Sequence, residues 1–299
     1  MGSPRNVLGC AMFAVLSLST SVFAQDRPPV IQDGTPVVLT RKPAPRIASG
    51  KPSLAGVWSV ASTDELKIVT ARYGPSDQRG QGNGAPKNEP PSLTPWGAER
   101  YGYNQDTRPT GSALEGSGYP TGTIGGRQEL NPFFKCVPPG TGYLLNGWGS
   151  ISPVEIIQSP KRILMFEEYD STIRQVWTDG RKHPDPVDLT WTGHSIGKWE
   201  GDTLVVDTVG LRNEFWLDNQ GHVASPGLHI IERYTRLDND TMQVDFTFDD
   251  PKAFQKPWTQ RLYKRLRPKW EIVEDLRCYP GSVDQKVNQE NFEQLFVEH

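Results

Sequence analysis

The stretch that most constrains the fold is residues 194–209, where two extended runs flank Glu200, Gly201 and Asp202. Glycine and aspartate tolerate the positive backbone φ angle that a tight hairpin turn requires. Apart from one aspartate, the second run (Thr203–Val209) consists of β-branched residues and leucine, which suit a pleated, packed surface. The segment therefore predicts a β-hairpin that carries a histidine, a tryptophan and two aspartates on one ribbon.

From residue 154 onward, short strand-forming runs alternate with turn residues. They predict strands at 154–158, 162–168, 172–178, 194–199, 203–209, 228–237, 241–249, 258–267 and 270–276. In residues 241–249 apolar side chains alternate with polar ones, which indicates a strand with one buried face. No long helical period is present. Successive hairpins at this spacing predict an all-β fold: an antiparallel meander that closes into a barrel or folds into a sandwich.

The N-terminal part of the chain differs from this pattern. Residues 1–24 read as a signal peptide, because Arg5 precedes an apolar run that is too short to span a bilayer. We therefore expect a periplasmic or secreted protein that is not inserted in the membrane after cleavage. Residues 25–50, rich in proline and basic residues, predict an extended N-terminal segment.

The remaining chain is expected to form one β-barrel domain over residues 51–280, followed by a C-terminal tail at 281–299. Within this domain, residues 74–131 are rich in glycine and polar residues and predict long irregular loops. One short helix is expected there, with Thr94 as N-cap and Pro95 at the first helical position, ending near Tyr103.

The charge of the chain argues against nucleic acid and anionic membranes as partners. The formal net charge is −3, and no Lys/Arg cluster marks a nucleic-acid or anionic membrane surface. We expect a small-molecule partner, and the sequence does not indicate an oligomeric state.

After export two cysteines remain, Cys136 and Cys278, and an even count in an oxidising compartment favours a disulfide between them. The alternative is two free, buried thiols.

One motif resembles the hallmark of a large family of exported bacterial proteins of unknown function: residues 193–208 read GHSIGKWEGDTLVVDT. Further matching segments are PVEIIQ (153–158), DGRKHP (179–184), IERY (231–234), DP (250–251) and KPW (256–258). The family normally has Cys-x-Pro-x-Gly followed by Pro-Arg, but here Gly142 and Tyr143 stand in place of that Pro-Arg. The resemblance implies a lipocalin-like β-barrel and implies no reaction.

Three histidines lie near predicted strand ends, namely His183, His194 and His229. At one barrel opening, such imidazoles could act with Asp207 or Glu232 as a general acid and base, or could bind a divalent metal. The alternative is that the histidines are separate and each has only local hydrogen bonds. No His-x-His or His-Glu-x-x-His spacing is present, so we assign no metal ligands. The candidate catalytic residues are His194, His183, Asp207 and Glu232.

The high tryptophan content favours a cavity for an apolar or aromatic ligand. The candidate ligand-binding residues are Trp199, Trp216, His229, Arg181 and Arg233. We therefore expect a periplasmic β-barrel that binds a small, mostly apolar or aromatic ligand and needs no cofactor. The first alternative is a cofactor-free isomerase, lyase or hydrolase in the same cavity. The second is an envelope interaction domain that docks a partner through its proline-rich segment.

Overall fold

The computed structural model describes residues 42–73, 91–104, 132, 137–146 and 152–274. Nine strands of this part of the chain form one closed barrel, which confirms the expected all-β class. The barrel closes where β1 pairs with β9, with Trp58 opposite Leu266. The strands are β1 Gly56–Val60, β2 Val154–Gln158, β3 Arg162–Glu167, β4 Thr172–Trp177, β5 His194–Glu200, β6 Thr203–Val209, β7 His229–Arg236, β8 Thr241–Asp249 and β9 Trp258–Leu266.

The predicted hairpin at residues 194–209 is formed by β5 and β6. Glu200 pairs with Thr203, so only Gly201 and Asp202 form the connection, and Gly201 has a φ of 59°. The other predicted strands between residues 154 and 267 are present within a residue or two of the expected bounds. The last one, expected at 270–276, is not a strand over residues 270–274, and its remainder lies outside the described residues.

The barrel is mixed, because β4 and β5 are parallel, with Val176 opposite Ser195. The start of β5 pairs with the end of β4, and both strands run in the same direction. A tight turn cannot join parallel strands, so residues 178–193 (the return segment) form the longer connection between them. The segment docks on the connection that follows β6: Thr190 forms a β-bridge with Leu211, and Val187 packs against Gly210. This segment carries His183 to the outside of the barrel.

In the described ranges three helices accompany the barrel: α1 Thr63–Tyr73, α2 Pro95–Asn104 and α3 Thr141–Asn146. Helix α2 is the predicted one, and its N-cap Thr94 accepts a hydrogen bond from the backbone N–H of Gly97 at 3.1 Å. Helix α1 was not expected, although Ser62 and Glu65 form a capping box at its start. No helix in the described ranges is long and apolar enough to cross a membrane.

Inward and outward side chains alternate along the strands, and the inward positions form the core. Most inward side chains are apolar and buried, among them Trp58, Val154, Met165, Val176, Leu204, Val206, Ile230, Val244, Phe246 and Phe248. A second inward set is polar or charged: Glu167, Arg174, Ser195, Thr208, Glu232 and Lys264. Burying a charge is costly unless a partner compensates it, so these polar residues need a specific explanation.

Several predicted features lie outside the described residues. These are the signal peptide at 1–24, the tail at 281–299, most of the 25–50 segment, most of the 74–131 region, and both Cys136 and Cys278. The signal peptide and the disulfide therefore stay predictions.

Candidate functional site

Three histidines and one aspartate meet on the outer wall of the barrel. This group, His183, His194, Asp207 and His229, is termed the imidazole cluster. His183 Nδ1 lies 2.8 Å from His194 Nδ1, and His183 Nε2 lies 3.2 Å from Asp207 Oδ1. His229 Nε2 lies 2.6 Å from the same carboxylate oxygen. The expected convergence of these imidazoles with a carboxylate is therefore present.

Strand register places the cluster on the outside of the wall. Asp207 pairs with Ile196 in β5 and Ile231 in β7, and His194 and His229 lie two residues from these partners, on the same face. The alternate positions Ser195, Thr208 and Ile230 are buried inside. The imidazoles thus meet on the outer face of the wall, and the expected placement at a barrel opening or in its cavity is corrected.

The local environment shifts the pKa values within the cluster in opposite directions. The hydrogen bond between His229 and Asp207 raises the pKa of His229 and lowers the pKa of Asp207. Burial, together with the charges of His183 and Arg181, lowers the pKa of His194. The side chain of His183 is 20% exposed, and those of Asp207 and His229 are each 36% exposed. Two imidazoles with opposed shifts can divide the roles of acid and base.

The hydrogen bonds also assign the ring protons when His183 and His194 are neutral. Asp207 accepts the Nε2–H of His183, so the Nδ1 of His183 carries a lone pair and accepts the Nδ1–H of His194. The Nε2 of His194 is then left as a hydrogen-bond acceptor. The chain from Asp207 through His183 to His194 can therefore hold a proton or pass it on.

The predicted ligand-binding residues do not come together. Trp199 and Trp216 pack with the core cluster, Trp216 from the connection between β6 and β7. Arg233 points outward from β7 and pairs with Glu200 at 3.0 Å on the surface. Arg181 stacks on Trp177, with its Cζ 3.6 Å from the ring centroid, and pairs with Asp179. Of this set, His229 alone belongs to the imidazole cluster.

Glu232 faces the interior and does not join the imidazole cluster. Its carboxylate accepts hydrogen bonds from Arg174 Nη1 at 2.8 Å and Nη2 at 2.5 Å, and from the Tyr234 hydroxyl at 2.5 Å. Arg174 also donates to Thr208 Oγ1 at 2.7 Å and to Ser195 Oγ. Both partners of this ion pair are almost fully buried and well hydrogen-bonded, which offsets their desolvation cost.

A second pair of inward charges, Glu167 and Lys264, is less well compensated. Within the part of the chain that the structure describes, Glu167 Oε2 is buried and has no hydrogen-bond partner, and burial raises the pKa of this carboxyl to about 7. Burial lowers the pKa of the Lys264 ammonium, and Glu167 is the charge that opposes this shift. Neither residue was predicted as a site residue. The available signal was a charge at an inward position of an alternating strand, beside Met165 in β3 and Leu262 in β9.

Within the described ranges, no three His, Cys, Asp or Glu side chains are arranged to hold a metal ion. The fold defines the class of this protein as a closed nine-stranded β-barrel. Comparisons with protein-family models, curated proteins and solved structures found no match to the chain. The resemblance of residues 193–208 to an exported bacterial family therefore stays a prediction, and function has to be inferred from the side chains of the chain itself.

Proposed function

We propose that the barrel interior binds a small, mostly apolar molecule that carries one polar group. The observation that carries this proposal is the buried Glu167 carboxylate, which faces the barrel interior and whose Oε2 has no hydrogen-bond partner among the described residues. An unsatisfied buried polar atom costs about 1–3 kcal/mol, so a polar ligand group that hydrogen-bonds to this carboxyl would offset a cost already present.

The surroundings of this carboxylate favour an apolar ligand body. Val154 pairs with Glu167 across β2 and β3, and Trp58 pairs with Val154 across β1 and β2. Met242 pairs with Lys264 on the other side of β9. These three side chains are buried inward, and each square ångström of apolar contact with a ligand contributes roughly 25 cal/mol. We expect this binding in the periplasm or outside the cell, as the predicted signal peptide implies.

Probe titration tests this proposal. The probes are cinnamyl alcohol and decanol, each an apolar body with one hydroxyl donor, and the readout is quenching of tryptophan fluorescence together with calorimetry. We expect wild type to bind at least one probe, and Glu167→Leu and Lys264→Met to bind it about tenfold more weakly. The control is Lys198→Met, since Lys198 is exposed on the outer face of β5 and should not affect binding. Failure of both probes to bind, or equal binding by all variants, would contradict the proposal.

A second candidate function is acid–base chemistry at the imidazole cluster on a small substrate, without a cofactor. The specific observation that favours it is the hydrogen-bonded chain from Asp207 through His183 to His194. In this role His194 Nε2 would be the base, and His229, whose pKa is raised, would be the acid. Isomerisation, elimination and hydrolysis all need such a pair.

Hydrolysis of p-nitrophenyl acetate tests this second function. Wild type should hydrolyse the ester faster than the background rate expected if its histidines reacted as free imidazoles. The rate should rise with pH through a pKa below the ordinary histidine value, because the pKa of His194 is lowered. His194→Gln and Asp207→Asn should fall to background. Asp245→Asn, which changes an outward carboxylate on β8 paired with Arg261, should leave the rate unchanged. Equal rates for all these proteins would exclude catalysis by the cluster.

A further inference from the structure

Lys264 occupies an unusual position for a lysine. It points inward from β9, is 6% exposed, and lies between Val60 of β1 and Met242 of β8 in the strand register. Among the described residues, none hydrogen-bonds to its Nζ, and the Glu167 charge is the one that acts on it. Two other buried cations that face inward are by contrast hydrogen-bonded. Arg174 donates to Glu232, Ser195 and Thr208. Arg236 donates to the backbone carbonyls of Ser53, Asp238 and Asn239.

We infer that the ligand of the barrel interior is an apolar aldehyde or ketone, and that Lys264 binds it covalently as an imine. This inference rests on the ligand site proposed above and names the chemical class of its occupant. It follows from the placement of a buried primary amine and a buried carboxyl in the same barrel interior. Glu167 is in register with Val154, which is in register with Trp58. Trp58 is in register with Leu266, which lies two residues from Lys264 on the same face of β9.

A lysine amine attacks a carbonyl carbon only when it is unprotonated. Burial lowers the pKa of Lys264, which increases the neutral, nucleophilic fraction of this amine relative to exposed lysines. Lys198, on the outer face of β5, is instead exposed to solvent. The interior amine should therefore react selectively.

Glu167 supplies the proton transfers that imine formation requires. With a pKa raised to about 7, its carboxyl is present in both acid and base forms at neutral pH. An ordinary carboxyl would be almost wholly ionised under these conditions and could not act as an acid.

The step balances without a further reactant. The Nζ lone pair forms a bond to the carbonyl carbon, and the carbonyl oxygen takes a proton from the Glu167 carboxyl. The Glu167 carboxylate then removes a proton from the nitrogen. The Glu167 carboxyl, protonated again by this transfer, gives its proton to the carbinolamine hydroxyl. The nitrogen lone pair then forms the carbon–nitrogen double bond as the carbon–oxygen bond breaks and water leaves. The products are one imine and one water, and the protonated imine has the Glu167 carboxylate as its counter-ion.

Reductive trapping tests this inference. Folded protein is incubated at neutral pH with cinnamaldehyde, an apolar aromatic aldehyde, and sodium cyanoborohydride, and is then analysed by intact and peptide mass spectrometry. We expect one adduct per chain, with the mass of the aldehyde less one oxygen, located at Lys264. Lys264→Met and Lys264→Arg should lose this adduct, Lys198→Met should keep it, and Glu167→Gln should form it more slowly.

Circular dichroism and thermal unfolding establish that each variant is folded, and Lys264→Arg retains a cation where Lys264→Met removes it. Adducts spread over exposed lysines such as Lys198, Lys256 and Lys269, and unchanged in Lys264→Met, would overturn the inference. Binding of cinnamyl alcohol without any adduct from cinnamaldehyde would also overturn it, but would leave the proposed ligand-binding function intact. The two failures are therefore distinguishable.

Discussion

The Nδ1 atoms of His183 and His194 lie 2.8 Å apart, so a proton on one ring is shared with a lone pair on the other. This contact joins the return segment to the outer face of β5, across a part of the fold that hairpin pairing does not connect. Because the two rings interact directly, a change at His183 alters the surroundings of the His194 imidazole, whose pKa is lowered by burial and by the neighbouring ring.

Replacing Asp207 should lower the pKa of His229. The Asp207 carboxylate accepts the hydrogen bond from His229 Nε2 and stabilises the charged imidazolium, and Asp207→Asn removes that charge. NMR titration of the His229 ring protons measures the effect. Asp245→Asn, on the outer face of β8, is the matched control and should leave this pKa where it is. An unchanged or higher His229 pKa in Asp207→Asn would show that the contact does not exist in solution.

The same variant should lose stability in a defined pH window. The Asp207 contribution is present above its unfolded pKa of 3.8 and is lost as pH falls, because its folded pKa is lowered. The His229 contribution is present below its unfolded pKa of 6.5 and is lost as pH rises through the raised folded value. The difference in free energy of unfolding between wild type and Asp207→Asn should therefore be largest between these limits. Urea unfolding across this range gives the profile, and a flat difference would refute the coupling.

Arg174→Met should destabilise the barrel by about 3–5 kcal/mol, because it leaves the buried Glu232 carboxylate without its counter-charge. The double variant Arg174→Met with Glu232→Leu should recover much of this loss. Arg261→Met breaks a half-buried pair with Asp245 on the outer face of the barrel and serves as the control, with an expected cost of about 1 kcal/mol. Urea unfolding measures all three. Equal costs for Arg174→Met and Arg261→Met would show that the interior pair is solvated.

Glu167→Gln should become increasingly stabilising as pH rises. The folded pKa of Glu167 is raised from 4.5 to about 7, so the folded state loses stability relative to the unfolded state across this interval, by about 3 kcal/mol in total. In a Lys264→Met background, the pH interval over which Glu167→Gln becomes more stabilising should extend to higher pH, because the lysine charge that lowers the Glu167 pKa is gone. Glu155→Gln, on the outer face of β2, is the control. A stability difference independent of pH would mean that Glu167 is hydrated.

Glu65→Gln should have the opposite pH dependence. Burial alone would raise the pKa of Glu65, but hydrogen bonds from Arg267 at 2.7 Å and from the Ser62 backbone lower it to about 2. The variant should cost about 3 kcal/mol at neutral pH. The cost should disappear as pH falls from 4.5 to about 2 in acid unfolding experiments, and a cost that persists there would indicate a packing effect instead.

The sequence predicts local features of the barrel well. The hairpin of β5 and β6 follows from period-two alternation and from turn residues that lie next to each other in the chain. Helix α1 was missed although Ser62 and Glu65 carry a capping-box pattern, because residues 63–73 lack a clear apolar stripe. The parallel pairing of β4 with β5 depends on contacts between residues far apart in sequence, which strand propensity cannot indicate.

Three of the four predicted catalytic residues, His183, His194 and Asp207, come together, but on the outer face of the wall. Alternation shows that His194 and Ser195 lie on opposite faces, but it does not say which face is inside. Asp207 proved to be outward and Glu232 inward, so one predicted site became two separate groups. Glu167 and Lys264 were overlooked because a single charge in a strand reads as a solvent-facing residue until barrel closure fixes its side.

Native mass spectrometry of the protein, purified from its own host without denaturation, tests the central claim that the barrel interior holds a small ligand. We expect a bound species of small-molecule mass on wild type and on Lys198→Met, and its loss from Glu167→Leu and Lys264→Met. The bare polypeptide mass in all four proteins, or an identical bound species in all four, would contradict it.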